Sequence, residues 1–173
     1  GLKLSKEMKL WEQTGYSYIN IGNLYIYQKM YKDARLYLNK ALEISDSLED
    51  MKMKGYCYLN LARVDINTNK YDDAINNLNK SLNIRVQANN INGQAVCHKY
   101  TGDLYYKQMK FDQALNSYYK SLELLKDSKD VGDPSDGKFS FDTQGNRRQW
   151  RLTFSWPINA KRQERFMQKM RIR

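Results

Sequence analysis

Proline is missing from residues 1–133; the chain has only Pro134 and Pro157. Proline removes a backbone donor and clashes with the preceding turn of a helix, so its absence leaves most of the chain free to form long helices. Histidine occurs once, as His98, which leaves a histidine-ligated metal or a histidine–acid catalytic pair almost nothing to work with. The two cysteines, Cys57 and Cys97, stand forty residues apart with no CxxC spacing. That is neither a disulfide framework nor a zinc spacing. They read as buried free thiols, suited to a reducing compartment, the cytoplasm ahead of the periplasm. No glycine-rich phosphate loop, no GxSxG turn and no apolar run long enough for a transmembrane helix is present. The sequence therefore points to no catalytic residue, no metal and no cofactor, and the question of function passes to surfaces.

Positive charge is plentiful but uneven. The formal net charge is +10, yet residues 138–173 hold ten Lys/Arg against two acids, Asp142 and Glu164, a balance of +8 that leaves +2 for residues 1–137. By this count an acidic partner concerns the tail and not the body.

Self-similarity recurs every forty residues. Gly22, Ala62 and Gly102 form one column; Tyr31, Tyr71 and Phe111 another; then Ala34, Ala74 and Ala114, Leu38, Leu78 and Tyr118, Ala41, Ser81 and Ser121, Leu42, Leu82 and Leu122, and Lys40, Lys80 and Lys120. Within a unit the apolar spacing is helical: Tyr31, Ala34, Leu38, Ala41 and Leu42 lie on one face. Tyr18, Ile21, Gly22 and Tyr25 do the same upstream. Short polar breaks at 28–30, 68–70 and 108–110 separate the two halves. Each unit thus reads as two antiparallel helices, with small residues at 22, 62 and 102 where the pair approaches closely. Subtracting forty from Leu42, Ile44, Ser45 and Gly55 gives Leu2, Leu4, Ser5 and Gly15. Residues 1–12 therefore read as the last helix of an earlier repeat, in a piece of a longer protein.

These columns resemble the tetratricopeptide repeat, through Ile21-Gly22-Asn23-Leu24-Tyr25, Tyr31-Lys32-Asp33-Ala34 and Tyr37-Leu38-Asn39-Lys40-Ala41-Leu42, and again through Gly102-Asp103-Leu104-Tyr105, Phe111-Asp112-Gln113-Ala114 and Tyr118-Tyr119-Lys120-Ser121-Leu122. The second unit departs from the pattern at Ala62 and at Asp65, which replaces the aromatic residue. The usual period is about 34 residues; a period of forty is similar to the subclass found in bacterial regulatory proteins and in polarity adaptors that clasp extended peptides. The resemblance implies an all-α fold, a right-handed α-solenoid over residues 1–126, divided into a partial repeat 1–14 and repeats 15–54, 55–94 and 95–126. It further implies a peptide-binding groove lined by the first helix of each pair: Tyr16, Ile19, Asn20, Asn23 and Tyr27, then Tyr56, Leu59, Asn60, Arg63 and Asn67, then Lys99, Tyr100, Asp103, Tyr106 and Lys107. A family subtype grips a C-terminal carboxylate with a basic and asparagine clamp. Asn23 and Asn60 match it, but Ile19, Val96 and Tyr100 stand where basic residues belong, so the expected ligand is an internal, partly apolar peptide or a partner helix.

The repeat ends near Lys126. Residues 127–137 read as a linker rich in turn formers. Beyond it the period changes to two: Phe139 and Phe141, then Trp150, Leu152, Phe154 and Trp156, alternate with polar residues around Gly145-Asn146, which predicts a β-hairpin. A short basic helix follows Pro157. Covering the open end of the last repeat is the first expectation for this tail. Its cations, Arg147, Arg148, Arg151, Lys161, Arg162 and Arg165, make a nucleic-acid or anion-binding regulator the rival reading, with nucleic acid ranked low because no RNA-binding motif accompanies them. A third reading is the sensory or dimerisation region of a bacterial signalling protein, and open repeat ends or the tail offer routes to a homo-oligomer. The leading expectation is a non-catalytic protein-interaction scaffold with a protein or peptide ligand.

Overall fold

The computed structural model describes residues 2–127, with side chains from residue 5 to residue 126. The expected hairpin, basic helix and linker lie outside the described residues, apart from Asp127, which closes the last helix. Six helices follow one another: α1 Leu2–Tyr27, α2 Tyr31–Ser47, α3 Met51–Asn67, α4 Tyr71–Gln87, α5 Ile91–Lys107 and α6 Phe111–Asp127. No strand occurs among the described residues. Each odd-numbered helix packs chiefly on the helix after it, giving three successive helical hairpins.

The connections are tight and nearly identical. Lys29, Asn69 and Met109 adopt φ of 60°, 60° and 61° between the helices of a pair; Glu49 and Asn89 adopt 53° and 50° between pairs. This left-handed residue turns the chain so that the next N–H reaches back to a carbonyl five residues earlier, as Met30 N–H does to Tyr25 O at 2.9 Å and Asp50 N–H to Ser45 O at 2.9 Å. Glycine, the usual residue at such a stop, occupies none of these five positions. Two helix starts carry side-chain caps. Asp50 accepts from the Met53 N–H at 2.9 Å and Asn90 from the Gly93 N–H at 2.8 Å.

The equivalent position forty residues before Asp50 is Leu10, which can cap nothing. Consistent with that, α1 runs unbroken for 26 residues. The separate helix expected over residues 1–12 is therefore corrected: residues 2–12 continue the first helix of the first pair. Ser5 to Gln13 are exposed, Met8, Leu10 and Trp11 among them.

Small residues sit where the helices cross. Ala34, Ala41, Ala62 and Ala74 have no exposed surface, and Gly22 and Gly102 face Leu38 and Tyr118 at distances that a Cβ would violate. Ser81 and Ser121 donate across each pair to the carbonyls of Gly55 and Ala95, at 2.9 and 2.7 Å. Burial then links pair to pair. Val64 packs with Ala34 and Leu38 of the preceding pair, and Leu104 with Ala74 and Leu78. Leu24, in the same column, is 61% exposed, against 1% and 0% for Val64 and Leu104. The first helices of neighbouring pairs also meet directly, α1 with α3 and α3 with α5, more than the second helices do. The odd helices thus form a continuous wall on the tighter side of the stack.

Outside that wall, a lysine lies over an aromatic ring at forty-residue intervals: Lys40 over Tyr18 at 5.7 Å and Lys80 over Tyr58 at 5.2 Å. In the third unit Lys120 faces His98 instead, and burial together with Lys120 holds the imidazole below its ordinary value of 6.5. The unfolded chain then takes up a proton that the folded chain refuses. The stability contributed by neutral His98 is complete above about pH 6.5 and declines as the pH falls through that value towards the folded pKa. His98→Tyr restores the repeated pair and is expected to raise the melting temperature modestly and to flatten its decline over that window. Parallel melting curves of the two proteins against pH check this; equal slopes would contradict it.

Candidate functional site

The wall of α1, α3 and α5 carries the fifteen residues named from the sequence, and the structure divides them. Ile19 and Leu59 are 5% and 4% exposed and belong to core clusters; they are corrected from groove-lining to core. Lys99 shares their column but is long enough to bring its ammonium out beside Tyr100, 4.3 Å from the ring centroid, and to Asp103 Oδ2 at 3.5 Å. Asn60 is also buried. Its amide donates to the Tyr56 carbonyl at 3.1 Å and its Oδ1 accepts from Arg63 at 2.7 Å. It braces the wall and presents nothing to a ligand. Asn20, Tyr27, Asn67 and Lys107 are exposed, and Tyr16, Asn23, Tyr56, Arg63, Lys99, Tyr100, Asp103 and Tyr106 are half-buried.

Arg63 is where three helices converge. Its Nη1 donates to Asn23 Oδ1 of α1 at 2.8 Å and to Asn60 Oδ1 of α3 at 2.7 Å. The guanidinium carbon lies 5.7 Å from the ring centroid of Tyr27 and 5.4 Å from that of Tyr100 on α5. Two aromatic faces and two amide oxygens fix the plane and position of the cation. One turn along α3, Asn67 Oδ1 accepts from the Lys107 ammonium of α5 at 3.4 Å.

The flanks of the wall are tied down differently. Tyr16 meets Tyr56 edge-on, centroids 6.5 Å apart, and its hydroxyl donates to Asp50 Oδ2 at 3.4 Å. Burial and the Asp50 carboxylate push the Tyr16 phenol well above its ordinary range. Asp103 accepts from Lys99 and, at 2.7 Å, from the Tyr118 hydroxyl of α6. Tyr106 stacks obliquely on Phe111 at 5.6 Å.

Cys57 is buried, and burial pushes its thiol up to about 12, so it stays protonated and unreactive. Among the described residues no group of His, Cys, Asp and Glu could hold a metal ion, and no helix is long and apolar enough to cross a membrane. The convergence on Arg63 was only partly visible in the sequence. Arg63 stood among the groove residues, but its column holds Asn23 and Asp103, and no periodicity announces a contact made across three helices.

Helical hairpins repeated every forty residues and joined through their first helices define an α-solenoid. Family models described as tetratricopeptide repeat match residues 15–48 and 56–127. Over these residues the chain belongs to the tetratricopeptide-repeat family. Among solved structures, it is similar to the TPR domain of Arabidopsis FLU, with a TM-score of 0.61 over 68% of this chain and 99% of that one at 19% identity. At that identity the likeness speaks for the fold alone. No curated protein matches the sequence.

Proposed function

We propose that this chain is a non-catalytic interaction module that holds a peptide or partner domain against the wall of α1, α3 and α5, along the inside of a right-handed superhelix. Tetratricopeptide repeats are in general protein–protein interaction modules, and the wall carries the particular reading. The observation that supports it most is the preset cluster of Tyr27, Arg63 and Tyr100. Aromatic and arginine side chains already held in place give up little freedom on binding and are the residue types that dominate interface energetics. The basic tail is the rival binding element, through its charge of +8.

Photo-crosslinking separates the two. A benzophenone amino acid at Tyr27 or Asn20 is expected to capture a peptide segment, and one at Asn76, exposed on α4, is expected to capture none. For any ligand so found, Tyr100→Ala should weaken binding by roughly 30-fold, about 2 kcal/mol, and removal of residues 138–173 should leave it largely intact. Binding that vanishes with the tail and ignores Tyr100 would reject the wall as the site.

A further inference from the structure

We propose that the ligand of this wall is an acidic peptide, one of whose carboxylates seats on the outward edge of Arg63 while a second lies near Lys107. The inference rests on the wall being the binding surface and goes beyond it by naming the chemistry of the ligand.

The argument begins with how the guanidinium is held. Nη1 has two hydrogens, and Asn23 and Asn60 take both. Nε and Nη2 carry three more N–H groups, for which no protein partner falls within reach among the described residues, and neither atom is enclosed. The Nε/Nη2 edge is a fork that matches the two oxygens of a carboxylate side-on. The cluster therefore fixes the cation by its far end and its faces and leaves a bidentate edge open.

Compensation of charge tells the same story. Arg35 pairs with Asp65, Lys54 with Asp46 and Lys99 with Asp103. Arg63 and Lys107 are the cations of the wall held only by neutral groups, two amides and two rings for one and the Asn67 amide for the other. Asp103, the acid in the column of Arg63, is already engaged by Lys99 and Tyr118. An uncompensated, immobilised guanidinium between aromatic faces attracts an anion more strongly than a solvated surface lysine does, because its orientation needs no reorganisation and the rings displace water. The small balance of +2 over residues 1–137 does not show this: the acids that offset the wall's cations in the count do not offset them in space.

A displayed random-peptide library panned on the full chain tests the proposal, with folding of every variant checked by circular dichroism. The pool selected by the unaltered chain should be rich in Asp and Glu. That bias should disappear with Arg63→Gln, fall with Lys107→Gln, and persist when Arg147, Arg148 and Arg151 are all changed to glutamine. A representative acidic peptide should lose about tenfold or more in affinity with Arg63→Gln. Lys107 is exposed, so its substitution keeps the test open even if Arg63→Gln disturbs the fold. Peptides that depend on Tyr100 yet show no acidic bias would overturn the inference and leave the wall as a binding surface. An acidic bias that survives Arg63→Gln and vanishes with the tail substitutions would assign it to the tail and overturn the inference. A pool indifferent to Tyr100 would remove the wall and the inference together.

Discussion

Arg35→Leu is expected to destabilise the fold by about 3–5 kcal/mol, although the repeat pattern recommends it. The column of Arg35 contains Ile75 and Leu115, so by register alone leucine is the regular residue. The structure reverses that judgement. Asp65 has no exposed surface, and its two oxygens are met by the Arg35 guanidinium and by Asn77 Nδ2 at 2.9 Å. Removing the arginine leaves a fully buried carboxylate with one amide for company, and an uncompensated buried charge is far more costly than a lost surface pair. The double change Arg35→Leu/Asp65→Leu removes the charge as well as its partner and is expected to recover most of the loss. Urea unfolding of the three proteins gives the coupling directly. A single substitution that costs less than about 1 kcal/mol would mean that the pair is not maintained in solution.

That pair also shows what the sequence could and could not reveal. The helices, their antiparallel pairing and the crossing points at 22, 62 and 102 follow from apolar and small residues repeating in register, because each repeat solves the same packing problem with the same side chains. Departures from register are solved jointly by residues on different helices, and there a single column is misleading. In the first unit Tyr25 stacks on Tyr37, centroids 5.6 Å apart; in the second unit the same two positions hold Asp65 and Asn77, joined by a hydrogen bond and completed by Arg35 from the preceding pair. Likewise the fully buried Met53 lies against Gly15; forty residues on both positions are glycine, Gly93 and Gly55, and Arg85, in the column of Ser45, fills the space beside Gly93. Arg85 lies 4.9 Å from the Tyr56 ring centroid, 3% exposed, with its Nη2 unpartnered. The continuous α1 departs from the repeat for a local reason: residues 2–15 are similar to 42–55, but the cap that would start a new helix is lacking at Leu10. Helical periodicity says which residues share a side of a helix but not how deep each one lies, and Ile19, Leu59 and Asn60 lie in the core, one layer further in than a groove requires.

The two glycines at the helix crossings should respond differently to alanine. In an exposed helix the change would gain about 1 kcal/mol from backbone propensity alone. At Gly22 a new Cβ would stand 2.8 Å from Leu38 Cγ and 2.9 Å from Cδ2. The second unit already contains the adjusted version, Ala62 opposite Leu78, both buried. A small shift of Leu38 therefore suffices, and Gly22→Ala is expected to be neutral within about 0.5 kcal/mol. At Gly102 the Cβ would stand 2.5 Å from Tyr118 Cε1 and 2.6 Å from Cδ1. That ring is rigid and anchored: its hydroxyl donates to Asp103 Oδ1, and burial together with this carboxylate pushes the phenol far above its ordinary range. Moving the ring breaks the anchor and withdraws Asp103 from its place on the wall. Gly102→Ala is thus expected to cost about 2 kcal/mol net. Adding Tyr118→Leu recreates the Ala62–Leu78 pairing and should restore most of the stability, since the clash belongs to the pair and not to either residue. Thermal and urea unfolding of the single and double variants measure each step, and a Gly102→Ala protein as stable as Gly22→Ala would show that the ring is not held where this packing requires it.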